Sequence, residues 1–165
     1  MDDQELTAAL APASAPSEAA PPAAKEEKAV VPPDCARILF RVCFVTFGAF
    51  CYAAALSVYD GMAVTAAVFL CSTNHWRRPV YGLRRNIDIV NTVSCLGYQT
   101  WRCFAVSAPY TVGFLVSTYT GVGCFFLGLH LDKTNLLHGT YAHCFVHILG
   151  NVGNVILYTG LSRLR

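Results

Sequence analysis

Five long apolar segments follow one another along most of the chain, separated by short polar stretches. About 20 apolar residues in a helix are needed to cross the roughly 30 Å hydrocarbon core of a bilayer. The pattern therefore predicts an all-α fold, a polytopic transmembrane helical bundle of about five spans. The second segment is the shortest, so four spans are the main alternative. The predicted spans are residues 35–58, 61–76, 87–106, 109–131 and 136–160.

The beginning of the chain has a different composition. Residues 1–33 are rich in Ala, Pro and acidic side chains, and they bury too little to offset the entropy lost on ordering. We expect a disordered tail over residues 1–33 and one transmembrane helical domain over residues 34–165. Asp34 is the predicted N-cap of the first helix. The tail resembles neither a secretory signal nor a mitochondrial presequence, so the first span is expected to act as the targeting signal.

The overall composition agrees with a membrane protein. Hydrophobic residues make up 55% of the chain and charged residues 13%. The net charge is only +2, so nucleic acid is not an expected partner. The eight cysteines form no CxxC pair and are interpreted as reduced packing residues. The expected partners are the lipid bilayer, together with a lipid substrate or the transmembrane helices of another protein.

A basic stretch separates the second and third predicted spans. Arginine at headgroup level attracts anionic lipid, and the nearby Trp76 and Tyr81 are typical interfacial anchors. With five spans, this charge predicts a cytosolic N-terminus and a C-terminus on the opposite side, in an organelle that the sequence does not indicate. The stretch either determines topology alone or also binds a phosphorylated lipid headgroup or an acidic partner segment. Its four arginines are Arg77, Arg78, Arg84 and Arg85.

Ionisable residues inside apolar spans are the candidate functional residues, because such groups are costly in a bilayer. His143 and His147 are four residues apart, so both imidazoles lie on one helix face and can share a metal ion. With five spans, the end of the second, the start of the third and the beginning of the fifth lie on the same side of the membrane. The five candidates are Ser72, His75, Asp88, His143 and His147.

These five residues resemble the pattern of the CREST superfamily of membrane hydrolases, which includes the alkaline ceramidases and adiponectin-receptor-like proteins. The order is the same: Ser and His at the end of one helix, Asp at the start of the next, and a HisxxxHis pair in the last. The chain has about five spans rather than seven, and two residues rather than three between Ser72 and His75.

The resemblance implies a zinc-dependent hydrolase that acts on a lipid amide or ester. By that resemblance His75, His143 and His147 are the metal ligands for Zn²⁺. The resemblance likewise makes Asp88 and Ser72 the catalytic residues, which support a bound water.

The same residues also have non-catalytic interpretations. The two histidines can be hydrogen-bond partners between helices, and Asp88 can pair with Arg84 or cap its own helix. In that case the chain is a non-enzymatic small membrane scaffold or assembly subunit, whose polar helix faces bind partner helices. A haem protein, with His143 or His147 as an axial ligand, is a third possibility.

Overall fold

Helices account for most of residues 29–164, the part of the chain that the computed structural model describes. This arrangement confirms the predicted all-α bundle. The predicted disorder of residues 1–28 falls outside the described part of the chain. The helices are α1 (Pro33–Val42), α2 (Phe44–Ala55), α3 (Tyr59–Trp76), α4 (Leu83–Cys103), α5 (Ala108–Leu131) and α6 (Leu136–Ser162).

Three helical stretches within residues 29–164 are long and apolar enough to cross a membrane, which makes the chain that of a membrane protein. The first combines α1 and α2, which are nearly continuous because Cys43 between them keeps a right-handed helical conformation. α3 and α4 lie outside this set because polar side chains interrupt their apolar character. The three stretches are Pro33–Ala55, Ala108–Leu131 and Leu136–Ser162.

Two predicted boundaries were wrong. The N-cap of α1 is Pro32, not Asp34, which lies in the first turn and pairs with Arg37 at 2.7 Å. Helix α4 begins at Leu83, so Arg84 and Arg85 belong to its first turn and not to a loop. The run of charges had suggested a loop, but long side chains on an exposed first turn can reach water without breaking the helix.

The residues just before α1 are held against the loop that joins α3 to α4. The Val30 amide donates to the Pro79 carbonyl at 2.7 Å, and Ala29 and Val80 form an isolated antiparallel bridge. This end of the predicted tail is therefore anchored, because its backbone donors and acceptors find partners in the loop.

Helices α5 and α6 pack closely through small residues. The Ser117 hydroxyl donates to the Leu149 carbonyl at 2.8 Å, and Gly153 lies directly against Thr118 and Phe114. Small residues allow two helix backbones to approach, which is the usual way that membrane helices associate. This hairpin forms one wall of the bundle. Helices α1 and α2 pack on α6, and α3 packs on α2 and α4.

A polar network ties α3, α4 and α6 together at the end of the bundle where α4 terminates. The Tyr158 hydroxyl accepts from Gln99 Nε2 at 2.8 Å and donates to the Gly61 carbonyl at 3.2 Å. Nearby, Arg102 Nε donates to the Asp60 carboxylate at 2.9 Å. Because the Tyr158 side chain is only 1% exposed, its ring is fixed by packing and by both hydrogen bonds.

We predict that Gly61→Ala destabilises the protein. A Cβ at this position would approach the Tyr158 ring to 2.7 Å, and that ring cannot move without losing its hydrogen bonds. The expected loss is about 1–3 kcal/mol of unfolding free energy, measured as a lower Tm by circular dichroism in detergent. Gly48→Ala is the control, because its Cβ meets nothing within 4 Å. Equal effects of the two substitutions would show that Tyr158 is not fixed in this way.

Candidate functional site

A buried hydrogen bond joins the end of α3 to the beginning of α4. The Ser72 hydroxyl donates to Asp88 Oδ1 at 2.7 Å, and the two residues are only 3% and 9% exposed. Asp88 lies in the second turn of α4, so it does not cap the helix. Its hydrogen-bond partner is Ser72 on the neighbouring helix, not Arg84 one turn earlier.

His75 lies one turn after Ser72 on the same face of α3. It is 3% exposed, and its ring centroid is 4.6 Å from that of Trp76. Its Nδ1 atom is buried and has no hydrogen-bond partner. An imidazole nitrogen in this state is available to a ligand that can reach it.

Trp76 connects His75 to the last helix. Its indole contacts the His143 ring edge-on, with 5.2 Å between ring centroids and 71° between planes. The indole is buried, at 8% exposure, in a cluster with Leu39 and Cys43. The sequence had suggested an interfacial anchor, but the end of α3 packs against α1 and α6, so the ring turns into the bundle.

His143 and His147 lie one turn apart on α6, with 5.4 Å between their ring centroids and 54° between their planes. The Nε2 atom of His147 is buried without a hydrogen-bond partner. Its backbone carbonyl accepts from Asn151 Nδ2 at 2.7 Å, and the same amide donates to Thr46 Oγ1 at 3.0 Å. Helix α2 therefore helps to fix the position of this part of α6.

All five candidates lie at one end of the bundle, but only some touch one another. Ser72 contacts Asp88, His143 contacts His147, and Trp76 contacts both His75 and His143. Over residues 29–164, no three His, Cys, Asp or Glu side chains form a group that can hold a metal ion as they stand. The three histidines would have to change rotamer to share one ion.

The residues that sequence reasoning missed are the aromatic side chains around His143. Besides Trp76, the Phe125 ring lies 6.0 Å from His143, centroid to centroid. The position of Phe125 could have been anticipated. Gly121 packs against α6, and Phe125 comes four residues after it. Residues four apart share a helix face.

The four arginines of the basic stretch lie at this same end. Arg77 and Arg78 follow α3 directly and are exposed, as is Arg84 in the first turn of α4. Arg85 lies over the Tyr81 ring, with its guanidinium carbon 5.4 Å from the ring centroid. A positively charged rim therefore borders the buried Ser72 and Asp88.

Comparisons with protein-family models, with curated proteins and with solved structures find no match for this chain.

We predict that Ser72→Ala lowers stability, because it leaves a buried carboxyl group without the donor that it contacts. The expected loss is about 1–3 kcal/mol, measured by thermal unfolding in detergent. Thr73→Ala is the matched control, since the Thr73 hydroxyl donates only to the Phe69 and Leu70 carbonyls of its own helix. In an Asp88→Asn background the effect of Ser72→Ala should change, because the two side chains interact. An effect no larger than that of Thr73→Ala would contradict this pairing.

Proposed function

We propose that the protein is a membrane-embedded, zinc-dependent hydrolase that acts on a lipid amide or ester. The observation that carries the proposal is a pair of buried imidazole nitrogens without partners, His75 Nδ1 and His147 Nε2, in the region of the buried Ser72–Asp88 hydrogen bond. Leaving a buried polar atom unsatisfied costs about 1–3 kcal/mol. Asn91 Nδ2 and Thr118 Oγ1 are also buried without a partner, but only the two imidazole nitrogens are of the type that binds a metal ion.

The donor set fits zinc in its chemistry. Neutral imidazole nitrogens are preferred Zn²⁺ ligands, and His75, His143 and His147 would hold the ion after side-chain rotation. His143 has to turn away from the Trp76 edge for this to happen. A zinc ion bound there would act as a Lewis acid on a carbonyl group and make water acidic enough to react near neutral pH.

Asp88 is the residue best placed to move a proton. Ser72 donates to one carboxylate oxygen, Oδ1, which fixes the plane of the carboxyl group and leaves the other oxygen free to accept a proton or to orient an imidazole. Since the Ser72 hydroxyl is already used in this bond, its role in the proposal is to position Asp88. The sequence had suggested that both residues support a water directly.

Access from the bilayer is compatible with the arrangement of α4 and α5. The Thr100 and Tyr119 hydroxyls lie 3.2 Å apart, and the Thr111 hydroxyl donates to the Cys103 carbonyl at 2.7 Å. Both contacts involve the last turn of α4, far from Asp88. In the proposal, the lipid approaches between α4 and α5 at the opposite end, beside Asp88.

The first test is zinc content. Detergent-purified wild type should contain close to one zinc per chain by inductively coupled plasma mass spectrometry, and His143→Ala with His147→Ala should lose it. His138→Ala is the control on the same helix, because His138 is exposed. A folded wild-type protein without zinc after purification in zinc-containing buffer would end the proposal.

A second test separates metal binding from catalysis. Asp88→Asn should keep zinc while hydrolysis of fluorogenic lipid amides or esters falls by about 10²- to 10⁴-fold, the usual contribution of a general acid or base. Thr73→Ala should retain activity. Equal hydrolysis by Asp88→Asn and wild type would remove Asp88 from the mechanism.

A second candidate function, a scaffold or assembly subunit, is favoured by one feature of α4. Ser94, Gly97 and Trp101 are exposed at steps of three and four along its outer face, and a Cβ on Gly97 would meet nothing within 4 Å. Small residues on an outer face suit close approach of a partner helix. In that case Gly97→Leu would abolish an oligomer or complex seen by light scattering, while wild type would contain no zinc.

A further inference from the structure

A groove opens beside the candidate site, where the first membrane-length helical stretch begins. Its volume is about 410 Å³, and it lies between the start of α1, the end of α3 and the segment that precedes α1. The hydrogen bond from the Val30 amide to the Pro79 carbonyl holds the segment before α1 beside the end of α3, and residues of both segments line the groove. The groove is therefore a built feature that depends on three parts of the chain, not a gap between side chains.

The walls of the groove combine positive charge with apolar surface. Arg37, Arg77 and Arg78 line it, together with Phe40 and Trp76, and no acidic residue is among the lining residues in the described part of the chain. Arg37 also pairs with Asp34 at the surface. Guanidinium groups suit phosphate oxygens, whereas the aromatic walls suit an acyl chain. This combination matches the two chemical parts of a phospholipid.

The position of the groove fits the same ligand. It lies where the Pro33–Ala55 stretch begins and where α3 ends, and the end of a membrane-length stretch is where arginines meet lipid headgroups. Arg84 and Arg85 lie in the first turn of α4 and do not line it. Of the four arginines of the basic stretch, only Arg77 and Arg78 therefore line the groove. Arg37 of α1 is the third arginine that lines it.

We propose that this groove binds an anionic phospholipid, with its phosphate at Arg77 and Arg78 and its upper acyl chain against Phe40 and Trp76. Because the Trp76 indole lines the groove and also contacts His143, the bound lipid lies one side chain away from the candidate site. This binding goes beyond the proposed hydrolase and does not require hydrolysis.

The fluorescence of Trp76 can be used to measure lipid binding in the groove. The chain has two tryptophans, so Trp101→Phe leaves Trp76 as the single emitter. In phosphatidylcholine vesicles, a small fraction of phosphatidylserine with brominated acyl chains should quench Trp76 more strongly than the same fraction of brominated phosphatidylcholine. Replacing Arg77 and Arg78 by Gln should reduce this preference by about fivefold per arginine. Arg84→Gln removes an equal charge at the same end of the bundle and should leave the preference nearly unchanged.

The outcomes are distinct from those of the zinc test. Equal quenching by the two brominated lipids, or an equal loss of preference in Arg84→Gln, would overturn the lipid site even in a protein that binds zinc. Conversely, absence of zinc with the phosphatidylserine preference intact would end the hydrolase proposal and leave the lipid site standing. Both Arg77 and Arg78 are exposed, so their replacement should not prevent folding.

Discussion

A carboxyl group buried between membrane helices needs a hydrogen-bond donor, and for Asp88 that donor is Ser72. The bond fixes how α3 and α4 meet at one end of the bundle, and it sets His75 one turn further along α3. Similar constraints apply elsewhere, because lipid offers no partner to an exposed polar group. Asn151 reaches Thr46 on α2, and the Tyr158 hydroxyl is shared between Gln99 and Gly61. The polar residues thus determine which helix faces meet.

Trp76 connects the candidate site to the basic groove. The indole lies in the apolar cluster with Leu39 and Cys43, touches two of the three candidate zinc ligands, and forms a wall of the basic groove. If both proposals hold, phospholipid binding and chemistry share one side chain, and rotation of His143 toward a metal changes the packing around the bound lipid. The charged rim and the buried carboxyl group are then two parts of one lipid-facing region.

The sequence predicted the all-α bundle, because long apolar segments separated by short polar stretches indicate successive membrane helices. Counting helix reversals predicted that the candidate residues converge on one site, and this convergence stays a prediction beyond the Ser72–Asp88 and His143–His147 contacts. Periodicity identifies a helix face but not the neighbour that covers it, so the Ser72–Asp88 and Asn151–Thr46 pairs were not foreseen. Trp76 was assigned to the interface because aromatic residues near arginines usually lie there. The start of α4 was placed too late because Arg84 and Arg85 were interpreted as loop residues.

The assignment of His75, His143 and His147 as zinc ligands is tested most directly by X-ray absorption at the zinc edge of purified wild-type protein. The ligand shell identifies the donor atoms, and two thiols, Cys43 and Cys144, lie in the same cluster as Trp76. We predict nitrogen ligands with the outer-shell pattern of imidazole at about 2.0–2.1 Å and no sulfur. A sulfur shell at about 2.3 Å, or a shell without imidazole scattering, would contradict the proposed site.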